Sequence, residues 1–294
     1  MKVSIITTCY NRRGTIGDAI RSVLAQEYDD IEYIVIDGAS KDGSVEVIRG
    51  LMAEGGRRKA AIKRGQSQTS LSYAEREQAR CEASRKRSFK FVSEPDGGMY
   101  EAINKGIRMA TGDIIGLVHS DDMLYDCHVI EDVARTFEES GADFVYGDGV
   151  FVNAEHTNRV VRNWRGGGYH RWKVRMGWLP LHPTCYIRRD VMMREGLYDE
   201  SYRIAADTEL LVRYLYKVRL KVAYMKRRVI RMRMGGLSTD SEKRRLMWRE
   251  DIRLYKAHGF WALPTKVMKV MWKVPQFITA KFMTTDNTDY SFSI

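Results

Sequence analysis

His119-Ser120-Asp121-Asp122 sets two adjacent carboxylates directly after the short apolar run 113–118, which reads as a buried strand. Carboxylates this close repel, and each loses water at the end of a buried strand. A divalent cation carrying a diphosphate removes the conflict, because hard oxygen ligands suit Mg²⁺ or Mn²⁺. The alternative is a surface turn with two solvated aspartates. Three other segments end apolar runs in the same way: Thr7-Thr8-Cys9-Tyr10-Asn11, Asp37-Gly38 and Glu94-Pro95-Asp96. In an open parallel sheet, ligands bind beyond the carboxyl ends of the strands. Four polar strand ends together therefore point to a ligand site.

The elements that would position these residues follow from periodicity. Lys2–Thr8 and Ile31–Ile36 read as strands. Ile16, Ala19, Ile20, Val23 and Leu24 form one apolar helical face, with Thr15 and Asp18 resembling an N-cap pair. A second helix is expected over about 44–52. Met99, Ala102, Ile103, Ile107 and Ala110 mark another, closed by Thr111-Gly112. Val129, Val133 and Phe137 mark a further helix, and Asp143–Asp148 and Gly149–Asn153 read as successive strands. Pro183–Ile187 and Lys221–Met225 read as later strands, and Ala206 begins a helix. This alternation predicts an α/β fold with crossover helices. No GxGxxG follows the first strand and no GxxxxGK[ST] occurs, which argues against a dinucleotide site and a P-loop.

The chain has 294 residues and a net charge of +11, enough for one large α/β domain or two small ones. The charge is uneven. Residues 53–90 hold eleven Lys/Arg against four acids, 217–233 eight against none, and 241–281 ten against three, so the remainder is acidic on balance. A basic periphery suggests an anionic partner: nucleic acid, anionic lipid or a sugar-nucleotide diphosphate. Residues 53–88 read as a basic, polar insertion. Cys9, Cys81, Cys127 and Cys185 are scattered without CxxC spacing, so neither a disulfide framework nor a zinc site is expected, and a reducing cytosol fits. No secretory leader is expected from residues 1–6, and no apolar run reaches 18 residues.

Taken together, the motifs resemble the inverting family 2 glycosyltransferases of the GT-A fold, of the bacterial polysaccharide and lipid-linked glycan type. The resemblance rests on Val3–Asn11, Ile36–Gly43, Glu94–Gly106 and the stretch from Ala110-Thr111-Gly112-Asp113 to Asp122, and spans roughly 1–52 and 89–240. It implies a Rossmann-like, mixed and mostly parallel sheet flanked by helices. It further implies that Thr8, Tyr10 and Asn11 lie near the nucleotide, that Asp37 contacts the base, and that Asp96 lies near base or ribose. Asp121 would contact ribose or donor sugar, and Asp122 would bind Mn²⁺ or Mg²⁺. Ser120 stands where the family usually has the first Asp of a DxD. His119 is either a diphosphate contact or a histidine packed at a strand end.

Asp207 matches the family's catalytic base. Inverting transfer needs one carboxylate to deprotonate the acceptor hydroxyl, although Asp is also a favoured helix N-cap; Glu209 is the fallback. His182, in Pro180-Leu181-His182-Pro183-Thr184, is either an acceptor or diphosphate contact or a structural histidine. Trp178 either stacks on a sugar or packs. Arg231 and Arg233, ahead of Gly235-Gly236-Leu237-Ser238, form either a lid on the diphosphate or a solvated basic strand.

The expected division is a catalytic domain over 1–240, carrying the insertion, and a basic aromatic helical extension over 241–294. That extension reads as an amphipathic segment on an anionic membrane surface, or as helices packed on the catalytic domain or a partner subunit. The activity expected is metal-dependent transfer from a nucleotide-sugar, a UDP-sugar first, to a glycan or polyprenyl-linked saccharide. The enzyme would be cytoplasmic, at the inner face of the membrane, with no nucleic-acid partner. A sugar nucleotidyltransferase and a basic nucleic-acid-binding protein are the competing readings. The first would show a Gly-rich loop after the first strand, where only Gly14 occurs; no motif supports the second.

Overall fold

A computed structural model describes residues 1–63, 87–234 and 241–272 of the chain. Strands β1 (Val3–Cys9), β2 (Ile31–Asp37), β3 (Ser88–Ser93) and β4 (Ile114–Leu117) run parallel in the order β3-β2-β1-β4. The sheet continues through β8 (Cys185–Arg188), β6 (Phe144–Val152), β9 (Val222–Arg233) and β5 (Asp122–Leu124), with β7 (Val160–Trp164) paired to β6. β8 is antiparallel to β4 and β6, and β9 is parallel to β6 and antiparallel to β5. This mixed sheet, flanked by helices, is the GT-A architecture.

Both faces of the first strands are buried, which is why β2 reads as a continuous apolar run. Ile5 and Val35 point to one face, against Ile16, Ile20 and Val23 of α1 (Ile16–Leu24) and Val129, Val133 and Phe137 of α4 (Val129–Ser140). Ile6, Ile34 and Ile36 point to the other, against Ile103 and Ile107 of α3 (Met99–Met109). On that side lie also α5 (Arg171–Arg175), α6 (Arg189–Glu195) and α7 (Ala206–Val212), which runs on into a π-helical turn over Arg213–Val218. Helix α3 must come close to β1: a Cβ at Gly106 would sit 2.6 Å from Ile6 Cγ2.

Several expectations change. β6 is one strand, not two. Helix α2 covers Ser44–Lys63, longer than its periodicity indicated. Thr15 makes no side-chain cap; Asp18 instead pairs with Arg21 and Arg233. Residues 64–86 of the basic insertion lie outside the described residues. The C-terminal segment folds as α8 (Ser241–Ala257) and α9 (Ala262–Met271), with Pro264 accommodated in the first turn of α9. Both join the core beside α7: Leu254, Tyr255, Phe260 and Ala262 are buried there, and Phe260 meets Tyr216 edge-on at 4.6 Å.

Candidate active site

The carboxyl ends of the four parallel strands share one edge, since Cys9 pairs with Asp37, Asp37 with Ser93 and Ile6 with Leu117. Asp37 is fully buried and accepts hydrogen bonds from Ser40 N (2.9 Å), Ser40 Oγ (2.5 Å) and Ser93 Oγ (2.7 Å). Asn11 adopts a left-handed φ of 51°, which Asn tolerates. Its Oδ1 accepts from Lys41 N at 2.9 Å, and its own N–H donates to Ser40 Oγ at 2.8 Å. The turns after β1 and β2 are thus tied together. Gly38 lets the two turns approach closely: a Cβ would lie 2.8 Å from Asp96 Oδ2 and 3.3 Å from Tyr10 Cδ2. Thr8 is half-buried, and the Tyr10 ring is exposed. Burial, then the charges of Glu101 and Asp37, push the Asp96 carboxyl above the usual range. One side of the edge is therefore a rigid, acidic floor with an exposed aromatic ring.

The 119–122 turn forms the middle. Thr7 Oγ1 donates to Val118 O at 2.7 Å, and Asp122 N donates to His119 O at 3.0 Å. Asp122 is 3% exposed, and its Oδ2 is buried with no hydrogen-bond partner. Burial, then the charge of Asp121, drives its carboxyl well above the usual range; the Arg233 N–H and charge offset only part of this. A buried acceptor without a donor is costly, and a divalent cation with oxygen ligands fits it. Asp121 and Ser120 flank that position.

Asp207 occupies the far end, as the second residue of α7. Ala205 is the N-cap, so Asp207 is not one; its Oδ1 accepts from Thr208 N at 2.6 Å. The charge of Asp207 reaches His119, His182, Tyr100 and Tyr198. His119 and His182 stack at 6.0 Å, and His182 Nε2 lies 2.7 Å from Tyr198 Oη. Burial pulls the His182 imidazole down to about 4 and lowers His119 as well, so His182 is neutral near pH 7. Glu209 is otherwise engaged. It is buried, pairs with Arg213 at 3.0 Å, and lies 3.2 Å from His258. Burial works against its charge, but hydrogen bonds from His258 and Arg213 outweigh that and hold its carboxyl below the usual range.

Trp178 and Arg231 are not brought to this group, and Arg233 reaches it only beside Asp122. Trp178 is 7% exposed and meets Tyr146 edge-on at 5.9 Å; it packs rather than offering a face to a sugar. Arg231 lays its guanidinium over the Tyr125 ring at 4.8 Å. Arg233 pairs with Asp18 and donates to Ala154 O at 3.0 Å, near enough to Asp122 for its charge to be felt. Both arginines belong to β9, not to a loop, and the Gly235–Ser238 turn lies outside the described residues. Tyr100, Tyr198 and Asn104 escaped the sequence reading. Asn104 is buried and joins α3 to the 198–200 segment: its Nδ2 donates to Tyr198 O (2.9 Å) and Glu200 Oε1 (2.7 Å), and its Oδ1 accepts from Tyr198 N (3.0 Å). A polar Asn on the apolar face of α3 was the available signal.

The model of the family described as glycosyl transferase family 2 matches residues 4–74 and 68–200. The chain belongs to that family and is a glycosyltransferase. It is 27% identical over 217 residues to a protein of Mycobacterium tuberculosis described as an uncharacterized glycosyltransferase, covering 72% of this chain and 68% of that one. It is 25% identical over 223 residues to a PGL/p-HBAD biosynthesis glycosyltransferase of Mycobacterium bovis, covering 76% and 73%. Among solved structures, residues 1–349 of S. aureus TarS with UDP-GlcNAc share the fold at a TM-score of 0.56 and 15% identity, over 95% of this chain and 79% of that one. A mannosyltransferase of Pyrobaculum calidifontis in complex with GDP-Man and Mn²⁺ does so at 0.60 and 13%, over 95% and 73%.

Proposed function

We propose that this family member is a metal-dependent inverting glycosyltransferase that moves a sugar from a nucleotide-diphospho-sugar, a UDP-sugar first among candidates, to a saccharide or lipid-linked saccharide. The observation that carries the reading is the division of carboxylates. Asp122 is buried with an unpartnered oxygen, Asp207 is half-buried among His119, His182 and Tyr198, and Glu209 is locked to Arg213. Asp207 is the base. It takes the proton of the acceptor hydroxyl as that oxygen bonds to the anomeric carbon and the bond to the diphosphate breaks. Neutral His182 and un-ionised Tyr198 suit contacts with sugar hydroxyls. Asp37, Asp96, Asn11, Thr8 and Tyr10 bind the nucleoside. Asp122, with Asp121 beside it, holds a divalent cation, which when bound neutralises charge on the leaving diphosphate. The GDP-Man and Mn²⁺ bound by the Pyrobaculum enzyme and the UDP-GlcNAc bound by TarS support this reading.

The same reading sets the enzyme in the cytoplasm, peripherally on the inner face of the membrane, where lipid-linked acceptors lie. No helix among the described residues is long and apolar enough to cross a membrane. A thermal-shift panel of UDP-, GDP- and dTDP-sugars with and without Mn²⁺ tests the donor assignment. Stabilisation by UDP-sugars that needs Mn²⁺ is expected; no shift with any nucleotide-sugar would overturn it.

A further inference from the structure

The peptide that leads into the base-bearing helix has no cap of its own. Ala205 stands at the N-cap, where no side chain can accept the first N–H groups. A carboxylate from α8 holds the segment just ahead of that turn. Glu250 is buried, and its carboxylate takes three consecutive backbone N–H groups: Arg203 N at 2.8 Å, Ile204 N at 2.9 Å and Ala205 N at 2.9 Å. The same C-terminal helix pair grips the next turn. Lys269 Nζ donates to Thr208 Oγ1 at 3.1 Å, and Asp251, fully buried, holds Lys269 at 3.0 Å. The residues on either side of Asp207 are therefore fixed by α8 and α9.

We infer that Glu250 is a positioning residue for glycosyl transfer: by binding the 203–205 backbone it aims the start of α7, and with it Asp207, at the acceptor hydroxyl. This inference rests on Asp207 being the base. Three donors converging on one carboxylate fix the backbone direction more tightly than a single cap would. Proton transfer to a base is sensitive to misplacement of about an ångström, which costs on the order of 100-fold in rate. Gln at position 250 keeps the shape but has one acceptor oxygen, and its NH₂ group faces a backbone donor.

The test is Glu250→Gln in the full chain, read by kcat and by KM for donor, beside Asp207→Asn. Expected for Glu250→Gln is a fall in kcat of about 10- to 100-fold with donor KM within about twofold. Unchanged kcat in Glu250→Gln, with Asp207→Asn inactive, would overturn the positioning role and leave the base standing. Full activity of Asp207→Asn would overturn the base assignment instead. Should Glu250→Gln not fold, Glu250→Asp, which keeps the charge but withdraws the carboxylate from the 203–205 backbone, carries the test: a kcat loss with donor KM unchanged supports the positioning role, and unchanged kcat overturns it.

Discussion

Asp122 and Asp207 carry the same functional group in opposite settings. Asp122 has lost its water, feels Asp121, and leaves one oxygen unpartnered, so its ionised form needs a cation. Asp207 keeps part of its surface and lies among groups that stay neutral. Asp122→Ala should therefore lower Mn²⁺-dependent UDP affinity by roughly 100-fold, about 3 kcal/mol. Calorimetry checks this, and unchanged affinity would remove Asp122 from the metal site. The pairing of acidic residues with strand ends was legible in the sequence, because a charged residue after a buried run has few reasons to be there. The preference for Asp207 over Glu209 came from the family resemblance, but the engagement of Glu209 was not legible. It depends on Arg213 and on His258, which lies 49 residues away.

At the scale of elements, β1, β2, β4, α1 and α3 follow from local periodicity, and the sequence reading found them. The β6–β9 pairing left no local sign. β9 takes extra residues between Tyr224 and Arg228 opposite Tyr146 and Asp148, a bulge whose register is set by the fold. That register put Arg231 and Arg233 in a strand, where a lid and a basic strand were the two readings. The opposite edge of the sheet from the active site has its own polar knot. Glu32 is buried and accepts from Ser4 Oγ (2.6 Å), Thr111 N (2.7 Å) and Thr111 Oγ1 (2.9 Å), with Lys90 Nζ at 2.8 Å. Burial opposes its charge, but Lys90, Ser4 and Thr111 prevail and hold its carboxyl at about 2. A depressed acid adds stability above its unfolded value, and that contribution is lost as pH falls through the folded one. Melting temperature should thus drop between about pH 4.5 and 2, and Glu32→Gln should flatten that part of the curve. An unchanged slope would contradict the assignment.

Across the whole molecule, the basic charge proves partly structural. Arg227 pairs with Asp126 and Asp132, Arg213 with Glu209, and Lys266 and Lys269 with Asp251. This revises the membrane expectation for the C-terminal segment, since two of the lysines assigned to lipid face Asp251. Helix α9 turns Lys266 and Thr265 inward and exposes Leu263, Val267, Val270 and Met271, beside Trp261 at 76% exposure. Helical periodicity revealed two faces but not which one met the protein. If this apolar face meets lipid, Val267→Glu with Val270→Glu in the full chain should lower the partition coefficient onto anionic vesicles, read by sedimentation, by roughly 100-fold, each buried Val adding about 1.5 kcal/mol. Unchanged sedimentation would reject the contact. Removal of the whole segment is not an equivalent test, because Leu254 and Tyr255 belong to the core and Glu250 holds the entry to α7.

The most direct measurement on the central claim is Asp207→Asn, assayed for sugar transfer and, by calorimetry, for donor binding. Loss of general-base catalysis should lower kcat by about 10²- to 10⁴-fold while donor affinity stays within about twofold. Turnover close to that of the unaltered chain would contradict Asp207 as the base.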